Sequence, residues 1–371
     1  MRRFIVAAAG SLALSTLAFV SPGLAGAPGA PAQPGLGAER AQPIDRSLGA
    51  LGKRHDLGVG TAVDMSALAD DPTYRQRVAS EFSSLTAENV MKWETLEPQR
   101  GVYDWTEADR LVAFARENRQ RIRGHVLVWH NQLPAWLTEG DFSSGEMRGI
   151  LRKHIHDTVR HFRGKVAEWD VLNEAFEEDG TLRDTIWLQK LGPGYIADVF
   201  RWAHEADPRV KLYYNDYNIE DVNPKSTALY KLVKELKAEG VPIHGVGVQG
   251  HQTVNYAPTS MVQNLARFNR LGLDTAVTEA DVRMVMPADD IKLQAQANVY
   301  STMLQACLYT PHCTSFTVWG FTDKYSWVPG WFEGEGAANI LDENFRAKPA
   351  YDALRMDLAL AGGPRHRGHR G

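Results

Sequence analysis

The chain is poor in cysteine: 371 residues contain only Cys307 and Cys313. Neither has a catalytic partner close by in sequence, which argues against thiol catalysis. No glycine-rich phosphate turn opens a helix. Gly58-Val59-Gly60 runs into Thr61-Ala62-Val63 instead, which disfavours an open doubly wound nucleotide-binding sheet. Basic charge is scarce in the body. The formal net charge is −4, but Arg2, Arg3, Arg40, Arg46, Arg365, Arg367 and Arg370 sit near the ends. Residues 47–361 keep 34 basic against 43 acidic residues, a net of −9, which argues against a nucleic-acid grip. Apart from residues 4–20 there is no long apolar run, so a multi-spanning membrane protein is excluded. With 44% hydrophobic and 23% charged residues, a mainly disordered chain is excluded too.

Residues 1–25 read as a secretory signal. Arg2 and Arg3 form a charged start, Phe4 to Val20 is uncharged and mostly apolar, and Gly23 and Ala25 offer a cleavage site. A membrane anchor is the alternative reading, but no stop-transfer charges follow. The mature protein is therefore expected outside the cell, free of the membrane and monomeric. Residues 26–46, rich in Ala, Pro and Gly, and the basic tail 362–371 are expected to be disordered. Export and an even cysteine count predict a Cys307–Cys313 disulfide; two buried thiols are the alternative.

Eight short runs read as buried strands: Leu57–Val63, Glu88–Glu94, Ile122–His130, Glu168–Ala175, Lys211–Asn218, Gly245–His251, Thr275–Asp281 and Phe316–Asp323. Helical spacing fills the gaps, at 72–84, 106–118, 146–163, 195–206, 224–239, 259–271 and 289–309, with a last helix at 348–360. Strand then helix, eight times, predicts an α/β fold of the (β/α)8 TIM-barrel type in one catalytic domain over 47–361.

Such barrels carry their sites at the C-terminal strand ends. Those ends hold Glu, Asn, Gln, His and Trp. Amides both donate and accept, which suits sugar hydroxyls, and indole faces suit the C–H face of a pyranose. Glu174 ends strand four and Glu279 ends strand seven. In an eight-stranded barrel those strands stand about 135° apart, with Cα atoms roughly 14 Å apart. Two inward Glu side chains then leave roughly 5 Å between carboxyls, the spacing of a retaining glycosidase.

The segments TAENVMKWE (86–94), GHVLVWH (124–130), WDVLNEA (169–175), LYYNDYN (212–218), VQGH (248–251) and TEAD (278–281) closely resemble glycoside hydrolase family 10, the endo-β-1,4-xylanases. All six occur in order, across the domain from about 47 to 360. The resemblance implies that Glu174 is the acid/base and Glu279 the nucleophile. It implies that Asn173 bonds the 2-hydroxyl of the reacting sugar, and that His251 and Asp281 hold the nucleophile. Gln249 and His125 would add hydrogen bonds around that sugar. Glu88, Asn89 and Lys92 would clamp the glycone sugars, and Trp129, Trp319 and Trp327 would form walls and roof. Gln132 and Trp327 would crowd C5 and favour xylose over glucose, and Tyr217 would face the leaving-group sugar. Xylan and xylo-oligosaccharides are the implied ligands, and no cofactor is implied.

Blander readings stand beside these. Asp170, within strand four, is expected to be structural. His125, His130 and His251 raise a metal site, but the carboxylates already hold glycosidase positions, so no metal is expected. His154 and His156 are expected on the surface. Trp105, Trp136, Trp187 and Trp202 are expected to pack in the core or loops. His251 and Asn173 are both expected to donate to Glu279. A barrel β-1,4-glucanase is one alternative function. A non-catalytic carbohydrate-binding barrel is another, and would be expected to lack one of the two Glu.

Overall fold

A computed structural model describes residues 45–362. The expected signal, most of the spacer and the tail beyond Gly362 lie outside the described residues. Ten strands are present: β1 Gly58–Val63, β2 Ser84–Ala87, β3 Arg121–Val128, β4 Glu168–Asn173, β5 Lys211–Asp216, β6 Gly245–Val248, β7 His251–Thr253, β8 Asp274–Val285, β9 Cys313–Val318 and β10 Glu335–Gly336. Strands β1 to β6, β8 and β9 pair in parallel in that order, and β9 returns to β1, closing an eight-stranded barrel. β7 prolongs the sixth position and pairs with β8; β10 pairs antiparallel with the end of β8. The fold is the (β/α)8 barrel.

Helices flank the barrel, so most residues of its eight parallel strands are buried on both sides and read as short apolar runs rather than alternating ones. The helix Ser144–His161 starts at a capping box, Ser143 with Glu146, and Pro224–Ala238 starts with Asn223 as cap and Pro at its first position. Close packing needs glycine at Gly124, where an added Cβ would lie 2.2 Å from the ring of Trp169. Trp187 and Trp202 are buried, and Trp105 and Trp136 pack partly buried against the core.

Several strand ends differ from expectation. The second strand lies at Ser84–Ala87, not Glu88–Glu94. Lys92 N–H bonds Asn89 O, so the motif forms a turn leading into the short helix Trp93–Leu96. The apolar signal of a four-residue strand is too brief to compete with that motif. The sixth strand breaks before Gly250, whose φ is +84°, and resumes as β7. The eighth lies at Cys313–Val318, earlier than Phe316–Asp323, and Gly320 at φ +78° turns the chain after it. The third, fourth and fifth strands each end two residues early, and the seventh runs on to Val285.

His154 is not on the surface. It is buried and stacks on Trp93 at 3.6 Å between ring centroids, with Nδ1 3.4 Å from Glu97 Oε2. Its face of Ser144–His161 points at the barrel, which an i,i+2 comparison with the half-buried His156 does not reveal.

Cys307, near the end of the helix Asp290–Tyr309, is bridged to Cys313 at the start of β9. The closed loop is short, so the bridge is expected to add about 2 kcal/mol of stability through the unfolded state. Urea unfolding of Cys307→Ser/Cys313→Ser against the oxidised protein measures this. An unchanged midpoint at equal m would show that the bridge adds nothing.

Candidate active site

Thirteen expected site residues line one cleft at the C-terminal end of the barrel, about 800 Å³ in volume. They are Glu88, Asn89, Lys92, His125, Trp129, Gln132, Asn173, Glu174, Tyr217, Gln249, His251, Glu279 and Trp319, and Trp327 joins them from the loop after β9. Asp281 lies beneath, bound to the side chains above it.

Glu174 follows the last residue of β4 and has φ +59°. A left-handed backbone at a non-glycine residue costs roughly 1–2 kcal/mol, so neighbours must hold it. Glu174 N–H bonds Asn215 O at 2.9 Å, and Arg183 Nε donates to Glu174 O at 3.0 Å. Its carboxyl is also held. Oε1 accepts from Gln249 Nε2 at 2.9 Å and Asn173 Nδ2 at 3.1 Å, and Oε2 accepts from Trp129 Nε1 at 2.8 Å. Oε1 is thus saturated, and Oε2 is the oxygen with room for a proton. Trp187 Nε1 in turn donates to Trp129 O at 2.8 Å, fixing the backbone that carries that indole.

Glu279, buried on β8, receives Asn215 Nδ2 on Oε1 at 2.7 Å and lies 3.3 Å from His251 Nε2 through Oε2. Asn173 does not donate to Glu279, contrary to expectation. Asn173 Oδ1 instead accepts from Asn215 Nδ2 at 2.9 Å and Gln249 Nε2 at 3.2 Å. A continuous run of amides therefore links the two carboxyls: Glu174, Gln249, Asn173, Asn215, Glu279. Asn215 was not singled out in the sequence, although its place at the inner end of strand five was the available signal. Thr278 Oγ1 orients it by donating to Oδ1 at 2.7 Å.

Electrostatics favour the Glu279 anion. Burial pushes its pKa up, but the charges of His125 and His251 and the His251 hydrogen bond outweigh this, so the pKa lies below the ordinary value. Asp170 has the structural role expected of it. It accepts from Arg123 and sits 3.0 Å from His125 Nδ1, which places His125 3.9 Å from Glu279.

His251 lies 3.0 Å from Asp281 through Nδ1. Burial lowers its pKa, but Asp281 and then Glu279 overcome that and raise it to about 10. An unfolded His titrates near 6.5, so the folded state binds more protons between about 6.5 and 10. His251 then contributes stability that is complete below about pH 6.5 and lost as pH rises through about 10. The stability gap between the protein and His251→Asn is expected to be larger at pH 6 than at pH 10 by urea unfolding. A gap independent of pH would contradict a protonated His251.

The side of the cleft built by Glu88, Asn89, Lys92 and Gln132 is tied to itself. Lys92 Nζ donates to Gln132 Oε1 at 2.6 Å and Asn89 Oδ1 at 3.1 Å, and Gln132 Nε2 donates to Glu94 Oε1 at 2.9 Å. Burial and the charge of Asp64 push Glu88 up to about 7 against the pull of Lys92. The side chain can therefore both accept and donate near neutrality. Trp327 Nε1 donates to Asp281 Oδ2 at 2.7 Å, which fixes its ring on the Glu279 side of the cleft. Tyr217 lies on the opposite half of the ring, after β5. Arg183, Arg283, Tyr256, Phe332 and the 73% exposed Trp331 also line the cleft. Arg183, Tyr256 and Phe332 stand on loops beyond the strand ends, Trp331 ends the short helix Val328–Trp331, and Arg283 lies on the part of β8 that runs past its expected end. Among the described residues, no three His, Cys, Asp or Glu side chains are placed to hold a metal.

Comparison with known proteins agrees with this geometry. The model of glycosyl hydrolase family 10 matches residues 47–356. An endo-1,4-beta-xylanase of Agaricus bisporus is 45% identical over 296 residues, covering 80% of this chain and 89% of the relative. Endo-1,4-beta-xylanase B of Thermotoga neapolitana is 44% identical over 317 residues, covering 84% and 91%. The crystal structure of xylanase 10B from Thermotoga petrophila RKU-1 in complex with xylobiose superposes with a TM-score of 0.82 at 43% identity, covering 84% of this chain and 97% of that one. With the same barrel and a match running through every strand that carries the cleft, the chain belongs to glycosyl hydrolase family 10 and is a glycoside hydrolase.

Proposed function

We propose that the enzyme is a secreted, retaining endo-1,4-β-xylanase that cuts internal bonds of xylan. The observation that carries the reading is the unequal seating of the two carboxyls. Glu279 is held as an anion by Asn215 and His251, whereas Glu174 Oε2 accepts from Trp129 alone and keeps room for a proton. In the first step Glu279 attacks the anomeric carbon while Glu174 delivers its proton to the departing glycosidic oxygen. A covalent glycosyl-enzyme forms. In the second step Glu174, now a carboxylate, takes a proton from water as that water attacks the same carbon. Glu279 leaves, and the configuration is retained. The relatives named as endo-1,4-beta-xylanases and the neighbour bound to xylobiose support xylan as substrate. The Cys307–Cys313 bridge supports an oxidising compartment.

Reducing-sugar release from soluble xylan should greatly exceed that from carboxymethyl-cellulose, with proton NMR showing the β-anomer first. Faster cellulose cleavage, or the α-anomer first, would overturn the reading. Gln132 and Trp327 are the proposed wall at C5. Replacing both by Ala is expected to raise cellobioside turnover relative to xylobioside by about tenfold, the scale of one badly fitted group in a pocket. An unchanged ratio would remove them as the discriminating wall.

A further inference from the structure

Arg183 stands on the loop after β4 and lines the cleft. Its side chain bonds two backbone carbonyls and one hydroxyl, and Nη1 pairs with Glu177 Oε2 at 3.3 Å. Nε donates to Glu174 O at 3.0 Å, and Nη2 donates to Phe176 O at 3.0 Å and to the Tyr217 hydroxyl at 2.9 Å. Its backbone N–H bonds Ala175 O at 2.8 Å, and a bridge between Phe176 and Leu182 closes the loop. One guanidinium therefore grips the carbonyl of the residue at φ +59° and the phenol facing the leaving-group side.

The far end of this grip is anchored as well. Lys225, fully buried, sits 3.6 Å from the Tyr217 ring centroid and pairs with Asp216 at 3.1 Å and Glu178 at 3.0 Å. Asn218 Nδ2 also donates to Glu178 Oε2 at 3.2 Å. The loops after β4 and β5 are thus locked together around Tyr217. Arg183 is the only side chain among the described residues shown bonding both Glu174 O and Tyr217 OH.

We propose that Arg183 is a positioning residue for proton delivery: it holds the left-handed backbone of Glu174 and the Tyr217 platform in one fixed relation. This rests on the reading of Glu174 as acid/base. The guanidinium gains or loses no proton in the reaction. It sets the direction in which Glu174 Oε2 points relative to the leaving oxygen. A misplacement of about 1 Å is enough to cost 10²-fold in rate, and that loss falls only on substrates whose leaving group needs a proton.

The test is a leaving-group series of aryl xylobiosides, from 2,4-dinitrophenyl to phenyl, measured on the protein, Arg183→Ala, Arg183→Lys and Glu174→Ala. Arg183→Ala is expected to keep kcat/KM for the dinitrophenyl substrate within about threefold and to lose about 10²-fold on the phenyl one. Millimolar guanidinium is expected to recover part of the phenyl rate in Arg183→Ala and none in Glu174→Ala. Arg183→Lys, which keeps a single donor group, is expected to fall between. Equal losses across the series, or no loss at all, would overturn the proposal. A flat series for Glu174→Ala would instead overturn the acid/base reading. The near-UV and far-UV circular dichroism of Arg183→Ala should match those of the unsubstituted protein, so that equal losses across the series cannot come from misfolding.

Discussion

Glu279→Gln is expected to lower kcat by about four orders of magnitude or more, on xylan and on activated aryl glycosides alike. The two residues have nearly the same shape, so the barrel should hold. The amide, however, cannot attack carbon, and its NH2 must face either Asn215 Nδ2 or His251 Nε2, both arranged for an acceptor. No leaving group relieves the loss, since in every case the glycosidic bond breaks only as the nucleophile bonds the anomeric carbon. In the unmutated protein, a 2-fluoro xylobioside should trap the first intermediate, and peptide mass spectrometry should find the sugar on Glu279. A label on Glu174, or Glu279→Gln retaining a tenth of its turnover, would defeat the assignment.

Glu174→Ala is expected to behave differently. Loss on xylan should reach about 10³-fold or more, because the alkoxide leaving group then departs without a proton. Glycosylation by a dinitrophenyl xylobioside should survive, since that phenolate needs none. Its turnover should then stall at the second step, where no base activates water. Azide is expected to restore turnover by attacking the glycosyl-enzyme directly, giving the β-xylobiosyl azide. An α-azide would mean that the first displacement did not occur. No rescue at all would mean that Glu174 does not serve the second step.

The barrel was legible because buried parallel strands leave short apolar runs, each closed by polar residues. The proposed catalytic pair stood out because Glu174 and Glu279 end such runs. The partners of the pair were harder to read. Asn173 is adjacent to Glu174 in sequence and was expected on Glu279. The pleat and the turn at Glu174 instead send its amide to Glu174, leaving Asn215 to donate to Glu279. That outcome depends on strand register, here Asn173 opposite Asn215, which no single segment encodes. Arg183 and Lys225 were invisible for a related reason: Tyr217 and Glu178, which they grip, stand on other segments, and a charged residue in a loop or in the first turn of a helix reads as solvated. His154 was misplaced because Trp93, its stacking partner, is sixty-one residues away.

The helices Leu48–Lys53 and Pro349–Leu360 pack side by side, and His55 Nε2 lies 2.8 Å from Leu358 O. The first leads into the start of β1, and the second returns from the end of β9. Both extremities of the barrel domain therefore emerge at the face opposite the carboxyls. A tether, a fused wall-binding module or a solid support attached at either extremity leaves the polymer's approach clear. The two ends are also close enough for a short peptide to join them, so a circularly permuted chain opened in an exposed loop should keep its cleft.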